Sequence, residues 1–167
     1  MTDLWPWSLK VYTGEGVAEA LLALQDDHSQ CVPLLLWALW CATEGADLDL
    51  DTAAKAARVA QAWEAGLIKP LRLLRRRLKW PLSECDDEHR LPLREKIKVI
   101  ELDAERAVLD ELGLLTPAKD ELKQTVNIDA LANLLTVAHA WSPATVPPSF
   151  SALLQALSEG DFLRYNG

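Results

Sequence analysis

The sequence predicts an all-α fold, a single-domain orthogonal or mixed helical bundle of about seven to eight helices. Three observations point that way. No stretch shows the period-two alternation of a strand, and Ala, Leu, Glu and Arg, all strong helix formers, dominate the chain. Its few glycines and prolines fall between segments of helical length.

Taken in order, Trp5-Pro6-Trp7-Ser8-Leu9 opens a short first helix that should stop before Gly14. Val17, Ala20, Leu21 and Leu24 recur at helical spacing and give a second helix from about Glu15 to Asp27. Pro33 suits the first turn of a third, where its missing donor costs nothing. Leu34 through Trp40 then have no polar face, so this helix should be the buried axis of the bundle. Asp51 is placed to cap an alanine-rich fourth helix running through Trp63, with Gly66 placed to end it.

Pro70 starts a fifth helix, Leu71 to Trp80, which Pro81 ends, and the polar segment Ser83 to His89 reads as the main exposed loop. The longest helix follows, from about Leu93 to Leu112. One face carries Leu93, Ile97, Ile100, Ala104, Ala107 and Val108, while Leu102 and Leu109 lie on the other side. Two apolar sides imply either a central position or a surface that a partner covers. Asn127 can cap a seventh helix carrying Leu131, Leu134, Leu135 and Ala138. Ser142-Pro143 and Pro147-Pro148 form a stiff connector, and Phe150 to Tyr165 should form a last short helix. Nothing resembling a repeat or an interdomain linker divides the chain.

A chain of 167 residues with half its residues hydrophobic is long enough for one real core. A net charge of −8 sets the whole molecule against nucleic acid and anionic membrane surfaces. Met1 to Leu9 shows no signal or transit pattern, and the apolar run Cys31 to Thr43 falls short of the roughly 20 residues that span a bilayer. The expectation is a cytoplasmic protein with no membrane partner. Three cysteines, an odd count, fit reduced thiols.

Charge is segregated along the chain. Residues 69–98 hold ten Lys or Arg against five Asp or Glu, a local +5, and the remainder carries −13. On a helical wheel Arg72, Arg75, Arg76 and Lys79 fall in one stripe beside Leu71, Leu74 and Leu78. The expectation is a helix that packs with its leucines and shows its arginines. Such a stripe is either a solvated face pairing with neighbours such as Glu101, Asp103 and Glu105, or a docking surface for an acidic or phosphorylated protein partner. A homo-oligomer would satisfy the same pattern.

Seven tryptophans are many for this length. Trp37, Trp40 and Trp63 sit in apolar helical patterns and read as core, as do Trp5 and Trp7, although tryptophan also anchors interfaces. A pocket between the tryptophan-rich helices, with an arginine holding an anionic group, is the alternative to a docking surface and would make the chain a small-molecule binder or an enzyme.

His28 with Cys31, and Cys85 with His89, have zinc-like spacings, but more than fifty residues separate the pairs and no metal is expected. No Glu-x-x-His pair, nucleophile elbow or phosphate cradle is present, so the residues name no catalytic group and no cofactor.

Leu4-Trp5-Pro6-Trp7-Ser8-Leu9, Tyr12, Gly16-Val17, Leu24-Gln25-Asp26 and Val32 to Leu36 with Trp40 resemble the opening of an uncharacterised proteobacterial family of small helical proteins. Trp63, Leu71-Arg72, Arg75-Arg76, Leu78-Lys79 and Lys96 to Glu105 resemble its middle. The resemblance runs to about Leu115, leaving residues 116–167 as variable C-terminal helices. It implies a bacterial, cytoplasmic setting and no activity, the domain being of unknown function. Pro33 departs from it, standing where a polar residue, often asparagine, is expected. Beside the basic stripe, Gln25 and Asp26 are the polar residues of that resemblance which packing does not demand. They are a second candidate site or, more simply, groups that cap the third helix.

Overall fold

The structure is a computed structural model that describes residues 3–118 and 129–163, among which every regular element is helical. The expected all-α fold is the one found. In chain order the helices are α1 (Leu4–Tyr12), α2 (Val17–His28), α3 (Val32–Thr43), α4 (Leu50–Trp63), α5 (Lys69–Arg77), α6 (Asp87–Leu114), α7 (Ala130–Trp141) and α8 (Ser151–Glu159).

α3 is the axis, as its apolar run demands, and all of its residues are buried. Pro33 lies in its first turn. At its end Gly45 takes a left-handed conformation (φ 75°), which lets the Ala46 N–H reach back to the Cys41 carbonyl at 2.8 Å. Trp37, fully buried, donates from Nε1 to the Thr116 hydroxyl at 3.0 Å. Trp7 and Trp40 are buried with it, while Trp5 and Trp63 pack half-buried on the core margin.

α7 packs along α3 and α4, and α8 packs on α2. Asn133 of α7 is buried and satisfied on both ends of its amide. Its Nδ2 donates to the Ala46 carbonyl at 3.0 Å and the Ala38 carbonyl at 3.3 Å, and its Oδ1 accepts from the Leu48 N–H at 3.0 Å. This one side chain pins α7 to the end of α3. Trp141 adds a second tie, donating from Nε1 to the Ser29 carbonyl at 2.8 Å.

Several boundaries differ from the expectation, each for a local reason. Asp49, not Asp51, caps α4, its carboxylate accepting from the Thr52 N–H at 2.7 Å. Asp51 falls in the first turn, where its charge suits the helix dipole. Gly66 does not end that helix. The chain continues from α4 into α5 through a π turn, Glu64–Ile68, in which the Lys69 N–H bonds the Glu64 carbonyl. Pro70 has no N–H to give and its ring crowds the carbonyl four residues back, and the widened turn accommodates both. α5 stops at Arg77, short of Trp80.

Asp86 caps α6 by accepting from the Glu88 N–H at 2.9 Å, so Asp87 to His89, expected in a loop, are helical. Asp129 caps α7; Asn127, the expected cap, and Tyr165, the expected end of the last helix, lie outside the described residues.

Candidate functional site

α5 and α6 form an antiparallel hairpin that splits the basic stripe, turning Arg72 and Arg75 inward and leaving Arg76 and Lys79 exposed. Arg72 is turned inward, with 12% of its side chain exposed. Its guanidinium donates to Glu64 at 3.0 Å, to Glu101 at 3.2 Å and to Glu105 at 3.5 Å. Arg75 grips both oxygens of Glu101 through Nε and Nη2. Leu73 and Leu74, 58% and 47% exposed, lie outside with Arg76 and Arg77, while Leu71 packs against the core. The reason lies on α6. Glu101, buried, and Glu105, one turn on and half-buried, face α5, and such carboxylates need cations beside them.

The charges in this cluster are interdependent. Burial works against the charge on Arg72, yet Glu64, Glu105 and Glu101 more than offset it and raise its pKa. Burial pushes the Glu105 carboxyl up to about 7, with Arg72 opposing and the charges on Glu101 and Glu64 adding to the rise. Tyr12 of α1 is raised as well, first by its own burial and then by Glu105. Two arginines therefore face three acidic side chains, of which Glu105 shares its proton near neutrality.

Two clefts meet at Arg72. The first, about 300 Å³, is walled by α1, α2 and the start of α3 on one side and by α5 and α6 on the other. Its first wall is mostly apolar, with Trp5, Leu9, Leu22 and Leu36, and includes the polar Ser8, Tyr12 and Gln25. Its second carries Arg72, Arg75, Lys98, Glu101 and Glu105. The second cleft, about 460 Å³, is more polar and runs between α2, the π turn and the end of α7 past Asp26, Gln61, Arg76 and Trp141.

The two sequence-level candidates, the stripe and the Gln25-Asp26 pair, come together here. Arg76 donates to Asp26 at 2.8 Å, which holds the Asp26 carboxyl below its ordinary pKa, and Gln25 donates to the same oxygen at 3.3 Å. Neither residue caps α3, whose N-cap is Cys31. Lys79 stands apart, beyond the end of α5, with its ammonium 5.5 Å from the ring centre of Trp80. Of the acidic neighbours expected to pair with the stripe, Glu101 and Glu105 do so, and Asp103 does not.

Sequence reasoning missed Glu64, Tyr12 and Arg90. Arg90 is buried at the outer end of the hairpin, bonding the Leu78 carbonyl and the Asp87 carboxylate and so closing the turn between α5 and α6. Its nearest signal was Asp87 three residues before it, on the same helical face.

Outward from this cluster the hairpin becomes an arm. In residues 87–100 of α6 Arg90 alone is buried, whereas Ala104, Val108, Leu109 and Leu112 of the second half are core. Leu91, Leu93, Val99 and Ile100 are exposed, Leu93 at 53%, and Trp80 beside them at 64%. The two apolar sides expected of this helix thus separate along its length, central in the second half and uncovered in the first.

Cys31 and Cys41 are buried, with thiols pushed up to about 12 by burial, while Cys85 is exposed. Among the described residues no three His, Cys, Asp or Glu gather as metal ligands would. No curated protein and no solved structure matches the chain. A family match covers residues 3–112, which takes in α1 through nearly all of α6 and with them the Arg72 cluster, the whole wall of the first cleft and the arm. On that match the chain belongs to the family described as a protein of unknown function (DUF2390).

Proposed function

We propose that the chain is a cytoplasmic protein-interaction module whose α5–α6 arm docks an acidic, amphipathic helix of a partner protein. The observation that carries this reading is the setting of Leu73. It is exposed near the middle of α5, and Lys69, Arg76 and Arg77, at positions four before and three and four after, surround it on the helix surface. Among the described residues Lys69 and Arg77 make no ion pair. Leu93 and Ile100 on α6 are exposed as well, and Lys96 lies one helical turn from each on the same helix. An apolar strip edged by cations matches a helix with leucines on one side and carboxylates along its flanks.

This reading moves the contact from the inner arginines to the outer face of the hairpin. Arg72 and Arg75 hold the arm to the body, and Leu73, Arg77 and their neighbours meet the partner. No helix of the described residues is long and apolar enough to cross a bilayer.

The test is site-specific photocrosslinking in the protein's own host, with the crosslinker replacing Leu73 or Leu93 on the arm, or Glu19 on α2. A discrete adduct from the two arm positions, mapping to an acidic segment of another polypeptide and lost when Lys69 and Arg77 are both changed to Glu, is expected. Equal yield from Glu19, or adducts indifferent to the charge reversal, would sink the arm as a docking surface.

A further inference from the structure

The first cleft has features that the docking reading does not use. Its volume of about 300 Å³ lies at the small end of the range that holds metabolite-sized ligands. Its two walls differ in chemistry. Trp5, Leu9, Leu22 and Leu36 offer an apolar surface to the body of a ligand. The facing wall carries three donors, Arg72, Arg75 and Lys98, beside Glu101, Glu105 and two leucines.

Those donors can be counted by what the fold has already spent. Arg72 is committed on three sides to Glu64, Glu101 and Glu105. Arg75 bonds Glu101 through Nε and Nη2, leaving Nη1 without a partner among the described residues. Lys98 lines the cleft and, among the described residues, forms no ion pair. Ser8, 3% exposed, lines the same cleft, and its Oγ is closed off from solvent with no hydrogen-bond partner. An unsatisfied buried hydroxyl is uncommon and calls for a reason, and a ligand oxygen met on a change of χ1 supplies one.

We propose that this cleft binds a small amphipathic carboxylate, its acid group held by Lys98 and Arg75 Nη1 and its apolar body laid against Trp5, Leu9, Leu22 and Leu36. A monoanion suits the site better than a phosphate dianion. Glu101 and Glu105 stand in the same wall, and two donors that are partly or wholly free offset one negative charge more readily than two.

Binding is then linked to pH through Glu105, which faces Tyr12 of α1, Glu64 of the π turn, Arg72 of α5 and Glu101 of its own helix. Glu105 carries no charge when protonated and repels a carboxylate when ionised, so affinity falls as pH rises through about 7.

The experiment is a titration of the full chain with octanoate and 3-phenylpropionate, followed by tryptophan emission and calorimetry, with 1-octanol, octylamine and octyl phosphate as comparisons. At least one carboxylate should saturate a single site, bind at least about tenfold more tightly than octanol or octylamine, and weaken about tenfold in Lys98→Glu. Lys98 is exposed and unpaired, so that variant should melt with the wild type. Leu22→Trp, on the cleft wall and 43% exposed, fills the space and should abolish binding. No saturation by either carboxylate, equal binding of octanol, tighter binding of octyl phosphate or indifference to Lys98→Glu would each overturn the assignment. None of these outcomes bears on crosslinking from Leu73, so the two readings fail separately.

Discussion

α3 and the outer half of α6 are both rich in large apolar residues, and the protein treats them oppositely. Every residue of α3 is buried, while Leu91, Leu93, Val99 and Ile100 stand in solvent. The difference lies in what surrounds each segment. α3 is enclosed by α1, α2, α4, α6 and α7, whereas outer α6 has α5 on one side and buries only Arg90. The apolar residues of α3, with no charge among them, build the core, whereas those of outer α6, set among seven charged residues, stay uncovered.

Substitution should separate the two classes. Trp37→Ala, which empties the middle of α3 and removes the bond to the Thr116 hydroxyl, should lower unfolding stability by about 3–5 kcal/mol in urea denaturation. Ile100→Ser, half exposed on the arm, should stay within about 0.5 kcal/mol of the wild type. Comparable losses from both would mean that the arm's apolar residues hold the fold, and the docking reading would lose its footing.

The joint between body and arm is the next place to break. Arg72→Met leaves Glu64, Glu101 and Glu105 facing one another with Arg75 as the remaining cation, and should lower stability by about 3 kcal/mol at neutral pH. Acid should restore part of the loss by protonating the carboxylates. Arg76→Ala removes an exposed partner of Asp26 and should lower stability by less than about 1 kcal/mol. A larger effect at Arg76 than at Arg72 would show that the arm is held by its rim and not by the inner cluster.

Much of the body was legible in the sequence and little of the joint was. The apolar run of α3, with Pro33 before it, dictates a buried helix in almost any setting. The choice between Asp49 and Asp51 as cap was not legible, because both precede the same alanine pattern and the cap geometry alone decides. Gly66 and Pro70 read as a break because either disfavours an α-helix, yet a π turn absorbs them without one. The wheel of α5 grouped Arg72 with Arg75, and Leu71 with Leu74, but a wheel fixes neighbours and not which side faces inward. That was decided on α6, where Glu101 and Glu105 at one-turn spacing oppose Arg72 and Arg75 across the hairpin. The cleft had no sequence signal, since Ser8, Gln25 and Lys98 become neighbours only when three separate helices meet.

Glu105 offers the finest test of the joint, and its sign follows from its surroundings. Burial raises its pKa from 4.5 to about 7, so the folded state holds the proton more tightly than the unfolded chain does. The contribution to stability is therefore whole below about pH 4.5 and is lost as pH rises through about 7. The wild type should lose on the order of 2 kcal/mol from this group between those limits. Glu105→Gln keeps the shape without the titration, so the difference in unfolding free energy between variant and wild type should grow with pH over that window. A difference that stays constant with pH would mean that Arg72 or water cancels the effect of burial on the Glu105 carboxyl. It would also remove the pH linkage expected of the cleft while leaving its donors, Lys98 and Arg75, in place.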